Sequence, residues 1–247
     1  GRTNPVFYSS GMKHVAALNT YEQVLRHGLA CWDQDKLPRQ ELEGRLARIR
    51  GEMRARGFGL LVIHGDAWVY GDLCFATHYA PMTREAVALI PSEGEPLLYV
   101  AVGDRDIAFA RQLTWFEEVV SLGNLVREFK RRVQQFITTD GRVGLVNVRE
   151  AMRTPLYTDL LGQIDGVAVE SCTAWYRELR LRKSAAEIQL IRDATAIADA
   201  SFEEILARLK PGVTEVELAA EADYAARCRG AEDLRILLTS GADGDRY

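Results

Sequence analysis

Most of the short signatures that announce an enzyme are missing from this 247-residue sequence. It contains no HExxH, no Walker phosphate loop, no GxSxG and no GxGxxG, so the zincin, P-loop, α/β-hydrolase and dinucleotide-binding chemistries that rest on them are not supported. Histidine is scarce, and His14, His27, His64 and His78 stand apart from one another and from any cysteine at metal-ligand spacing, which argues against a zinc site built within the chain. The four cysteines, Cys31, Cys74, Cys172 and Cys228, form no CxxC pair and no short-range framework. They read as reduced thiols of a cytoplasmic protein. No basic excess exists either: 31 Lys and Arg face 35 Asp and Glu, a net charge of −4, whereas a nucleic-acid binder needs cations to neutralise phosphates. The strongest apolar runs, residues 59–63 and 97–102, are strand length and far short of the ~20 residues of a membrane span. Residues 1–11 lack the apolar segment of a signal peptide. The expectation is a cytoplasmic protein with neither nucleic acid nor membrane as partner.

What is present is an alternation of strand and helix patterns. After an extension over residues 1–38, Leu42, Leu46, Ile49 and Met53 recur at helical spacing, and Gly57 stands where a helix would stop. Apolar runs at 60–63, 85–90, 96–102, 143–148 and 167–170 read as strands, with Pro91, Ser92, Glu93 and Gly94 supplying one turn. Helical periodicity appears between them at 123–137 and 154–164. This order implies an α/β domain with a largely parallel or mixed sheet. From about Cys172 long helices take over. Ile188, Ile191, Thr195, Ala198, Phe202, Ile205 and Leu209 form one apolar stripe, opened by Ser184 with Glu187 three residues on and closed by Pro211-Gly212. Thr214 and Glu217 repeat the capping device for a helix reaching Gly230, and 234–238 reads as a strand. The domain boundary falls near residues 175–183.

Few residues carry candidate chemistry. Asp243-x-Asp245 resembles the start of a calcium loop without the oxygens to complete it, and reads as a polar turn. Lys130, Arg131 and Arg132 lie on the polar face of an amphipathic helix and read as a solvated face. The densest stretch is 68–81, with Trp68, Tyr70, Phe75, His78 and Tyr79 close together. An imidazole ordinarily titrates near neutrality, so His78 could position or protonate a substrate. The competing reading is a hydrogen-bonded, structural loop histidine.

Two stretches resemble the creatinase and Xaa-Pro aminopeptidase family. Arg45-Leu46-Ala47-Arg48-Ile49-Arg50 followed by Gly57-Phe58-Gly59-Leu60-Leu61-Val62-Ile63 resembles the family's opening helix and first strand, with its aromatic-rich turn following at Val69-Tyr70 to Phe75. Leu179-Arg180-Leu181-Arg182-Lys183-Ser184-Ala185-Ala186-Glu187-Ile188, then Lys210-Pro211-Gly212-Val213-Thr214-Glu215-Val216-Glu217-Leu218 and Thr239-Ser240-Gly241, resemble the entry into the family's second domain. The resemblance implies an α/β creatinase-type N-terminal domain with a mixed sheet and flanking helices over 39–175. The first part of an α+β pita-bread catalytic domain would follow over 176–247. It also implies a hydrolase that cleaves a C–N bond in a peptide or small molecule. Alternatives on the same fold are a lyase and a non-catalytic peptide- or protein-binding module.

Peptidases of this family hold two divalent ions (Mn, Zn or Co) with two aspartates, one histidine and two glutamates, all beyond the serine-glycine strand. No residue here is therefore assigned as a catalytic group or metal ligand, and the resemblance implies part of a longer protein whose metal-binding half lies outside this chain. The first domain of such enzymes leans over the active site of a homodimer partner. The resemblance thus makes Trp68, Tyr70 and Tyr79 candidate aromatic walls for a small-molecule or peptide substrate. His78 and Arg84 would be candidates for its carboxylate or polar head, with His78 nearest to it.

Overall fold

The computed structural model describes residues 32–81, 84–137 and 141–241. They fall into two compact units, one from Trp32 to Ala186 and one from Glu187 onward. The sequence reading placed its boundary within 175–183, where a helix, Thr173–Leu181, belongs to the first unit. Most of the expected extension, together with Cys31, His14, His27, Asp243 and Asp245, lies outside the described residues. Among the described residues no helix is long and apolar enough to cross a membrane.

The first unit opens with helix α1 (Arg39–Arg56), entered from Pro38 and closed by Gly57 in the left-handed conformation, φ 73°. A glycine there adopts positive φ without a Cβ penalty. Six strands then build one sheet: β1 (Phe58–Asp66), β2 (Glu85–Pro91), β3 (Leu97–Val100), β4 (Glu118–Ser121), β5 (Arg142–Val146) and β6 (Val169–Ser171). Their order is β4-β3-β2-β1-β5-β6. The β1–β2 and β2–β3 pairs are antiparallel, while β3–β4, β1–β5 and β5–β6 are parallel, so the sheet is mixed. In chain order the remaining helices are α2 (Gly71–Thr77), α3 (Ile107–Ala110), α4 (Leu125–Phe136), α5 (Val148–Ala151), α6 (Thr154–Leu161) and α7 (Thr173–Leu181).

Strand periodicity sends alternate residues of β1 to opposite faces. Leu60 and Val62 join Val87, Leu89, Leu97 and Tyr99 in a core closed by Leu125, Phe129 and Val133 of α4 and Leu156 and Leu160 of α6. Leu61 and Ile63, equally buried, take the other face, where α1 and α2 pack against β1. Covering both faces explains why β1 and β2 read as continuous apolar runs rather than alternating ones. Strand β4 was not expected. It is a four-residue edge strand with one fully inward residue, Val119, too short to show a period.

The second unit contains α8 (Ala185–Arg208), whose first two residues belong to the first unit, and α9 (Glu215–Cys228). The Thr214 hydroxyl accepts from the Glu217 N–H at 3.2 Å while the Glu217 carboxylate accepts from the Thr214 N–H at 2.8 Å. This capping box contributes about 1 kcal/mol. The two helices meet through small residues, with the Ser201 hydroxyl donating to the Ala222 carbonyl at 2.9 Å. The apolar stripe of α8 is not buried as the periodicity alone predicts: Ile191 is 53% exposed and Phe202 59% exposed. The expected strand at 234–238 is irregular instead, because no strand among the described residues pairs with it.

Candidate functional site

The segment after β1 is shaped by two tight local contacts. Asp66 Oδ1 accepts from the Trp68 and Val69 N–H groups, both at 2.7 Å, folding the chain into an Asx-type turn. The turn leaves Trp68 77% exposed and Val69 exposed beside it. Gly65 lies underneath, where a Cβ would stand 2.8 Å from Leu73 Cβ and 3.2 Å from Tyr70 Cα, so only glycine lets the turn close on the strand.

Of the expected residues, Trp68 and Arg84 reach the surface on neighbouring segments, linked where the Ala67 N–H donates to the Arg84 carbonyl at 3.0 Å. Tyr70 is half-buried. Tyr79 is a correction to the sequence reading: it is 6% exposed and packs in the core, because its N–H is drawn to Thr77 Oγ1 at 3.0 Å as the chain leaves α2. His78 is the residue that ends α2. Its N–H donates to the Cys74 carbonyl at 2.8 Å, its φ is 59°, and its ring meets Trp32 edge-on at 6.4 Å.

Burial, aided by the Arg45 guanidinium, pushes the His78 imidazole down to about 4 from an ordinary value of 6.5. His78 is therefore neutral at pH 7. An unfolded chain would take up that proton first, so the stability contributed by the neutral ring is present above pH 6.5 and declines as pH falls toward 4. An NMR pH titration of the His78 ring should place its midpoint well below 6.5. A midpoint at or above that value would contradict this setting.

The residues that the structure does bring together lie at the carboxyl ends of β1 and β5. Asp72, 2% exposed, accepts from Arg177 Nε at 2.9 Å and from Arg180 Nη1. Its carbonyl accepts from the Tyr176 hydroxyl at 3.0 Å. Asn147 follows β5 directly with φ 56°, a conformation that asparagine tolerates better than most residues. Its Nδ2 donates to the His64 and Val69 carbonyls, each at 3.3 Å, and its Oδ1 accepts from Arg177 at 3.4 Å. Beside it, buried Glu85 takes Arg153 Nε at 2.7 Å on one oxygen and His64 Nε2 at 3.1 Å on the other. Burial lowers the His64 pKa, with Glu85 pulling the other way. Among the described residues, His64 Nδ1 has no hydrogen-bond partner.

Sequence reasoning missed this network. Its one local signal is the spacing of Arg177 and Arg180, which puts both guanidiniums on one face of α7. A separate open cleft of about 340 Å3, lined by Gln40, Glu41, Gly44, Arg48, Arg182, Lys183 and Ser184, shares no residue with it. That cleft contains no aromatic ring and no histidine. Among the described residues, no group of three or more His, Cys, Asp or Glu side chains is placed to hold a metal ion. The described residues therefore do not fit the pair of divalent ions that the resemblance implies.

Residues 189–245 match metallopeptidase family M24. The chain is 29% identical over 132 residues to the uncharacterized peptidase YqhT of Bacillus subtilis, covering 53% of this chain and 36% of that protein. It is 24% identical over 201 residues to the uncharacterized hydrolase/peptidase y4tL of Sinorhizobium fredii, covering 74% of this chain and 49% of that one. Its fold is shared with an X-Pro aminopeptidase of Thermotoga maritima at a TM-score of 0.64 and 21% identity, over 76% of this chain and 50% of the other. The chain thus spans half or less of the length of these relatives. The M24 match and the shared fold upstream of it bear out the resemblance to the creatinase and Xaa-Pro peptidase family.

Proposed function

We propose that this chain, of creatinase and Xaa-Pro peptidase type, forms the N-terminal domain and the opening of the catalytic domain of a cytoplasmic, homodimeric hydrolase that cleaves a C–N bond in a peptide or small molecule. The observation that carries this reading is the M24 match over residues 189–245, which starts within α8 and takes in the capping box at Thr214 and Glu217. Two divalent ions would be held by residues outside this chain.

What this chain would supply is closure of the substrate pocket. Trp68 and Arg84 are the exposed pair with suitable chemistry: an apolar face to exclude water and a guanidinium to hold a carboxylate. His78 suits that task less well, since it is half-buried and uncharged at neutral pH. In the whole protein, Arg84→Ala should raise KM for a dipeptide about tenfold, the loss of one charged hydrogen bond. Trp68→Ala should act in the same direction. Mixing either variant with a catalytically dead partner should restore part of the turnover through heterodimers. Unchanged kinetics in both variants would remove this segment from the substrate pocket.

A further inference from the structure

The order of successive strands across the sheet reverses between the parallel neighbours β1 and β5. The chain leaves the carboxyl end of β1 toward β2 on one side, through α2 on the face that also carries α1. It leaves the carboxyl end of β5 toward β6 on the other side, through α5 and α6 on the opposite face. Parallel strands whose connections part in this way open a crevice beyond their carboxyl ends, and open α/β sheets bind ligands there.

We infer that this crevice is a ligand site for a molecule with a carboxylate and an adjoining apolar group, held by Arg153 and Arg177 against Trp68. Three observations support the chemistry. Asn147 spans the crevice floor in a left-handed conformation, tied to the β1 side by the His64 and Val69 carbonyls and to Arg177 by its Oδ1.

The guanidiniums are fixed from below and open above. Arg153 turns Nε and one Nη to a single Glu85 oxygen, yet 69% of its side chain stays exposed. Arg177 is held by Asp72 and Asn147 with 48% exposed. Buried carboxylates thus aim the cations before any ligand arrives, which reduces the ordering cost of binding. Three guanidiniums, at 153, 177 and 180, pair with the two carboxylates of Asp72 and Glu85, leaving an excess of one positive charge. Finally, Trp68 offers an exposed ring at the rim, and Trp and Arg together are the residues most often dominant in binding.

This site shares Trp68 with the proposed pocket closure, but it resides in the first unit alone and does not require hydrolysis. Its test therefore uses the 247-residue chain, which carries the crevice whatever the activity of the whole protein. N-acetyl-phenylalanine, titrated while the Trp68 indole resonance is followed by NMR, should give a saturable shift with a Kd of about 1 mM. N-acetyl-phenylalanine amide, which keeps the ring and lacks the charge, should bind about tenfold more weakly. Arg153→Gln should weaken the acid by a similar factor. Arg131→Gln, on the exposed face of α4, should leave it unchanged and so exclude a general charge effect. Equal binding of acid and amide, or the absence of a saturable shift at Trp68, would overturn the inference. The acid–amide comparison needs no variant and decides the matter even if Arg153→Gln fails to fold.

Discussion

Replacing Asp72 with Ala should destabilise the first unit by about 3 kcal/mol and loosen the helix Thr173–Leu181 from the sheet. The carboxylate is 2% exposed and is the common acceptor for Arg177 and Arg180. Removing it leaves two guanidiniums without their counter-charge. Burial of an unpaired charge would cost more than this, but Arg177 and Arg180 are 48% and 34% exposed and can recover part of their hydration. Backbone effects are small, because the Asp72 carbonyl keeps the Tyr176 hydroxyl as donor. Gly71 adds to the constraint, since a Cβ there would stand 2.6 Å from Arg180 Nη2, so the guanidinium is held close against the start of α2. Urea unfolding would measure the loss, and amide exchange over 173–181 should accelerate more than exchange in β1. A stability change below about 1 kcal/mol would mean that the ion pairs behave as ordinary surface pairs.

That network also marks where the sequence stopped being informative. β1, β2 and β5 were legible because burial on both faces writes them as unbroken apolar runs, and α1 because Leu42, Leu46, Ile49 and Met53 keep helical spacing up to Gly57. The Thr214 capping box was legible because both its halves lie within four residues. Trp68 stands out in a stretch dense in aromatic groups, whereas Arg84 is a candidate only through the family resemblance. Asp72 gave no such sign, since its partners Arg177 and Arg180 stand 105 and 108 residues away along the chain. Glu85 and Arg153 are 68 residues apart. Single-chain patterns report periodicity and caps, whereas contacts of this span depend on strand order, and the insertion of β5 beside β1 was not readable from either strand. The same limit produced one misreading. Residues 234–238 have strand composition, but composition cannot supply a neighbour to pair with.

The proposed hydrolysis belongs to the whole protein, and loss of its metal should be all-or-none in effect. Hydrolysis of an Xaa-Pro dipeptide and of a small C–N substrate should be assayed with the whole protein supplied with Mn, Zn or Co, with the same protein after chelation, and with the 247-residue chain alone. The whole protein should turn over at least one of these substrates, and metal should be needed to generate hydroxide and polarise the scissile carbonyl. Chelation should abolish turnover and readdition restore it. The 247-residue chain should show none with any of the three ions, because its described residues offer no ligand cluster. Metal-restored turnover confined to the whole protein is the result this account predicts. A whole protein that binds such peptides yet leaves them intact with every metal would contradict the hydrolase reading and favour a peptide-binding module, and turnover by the 247-residue chain itself would contradict the placement of the catalytic groups.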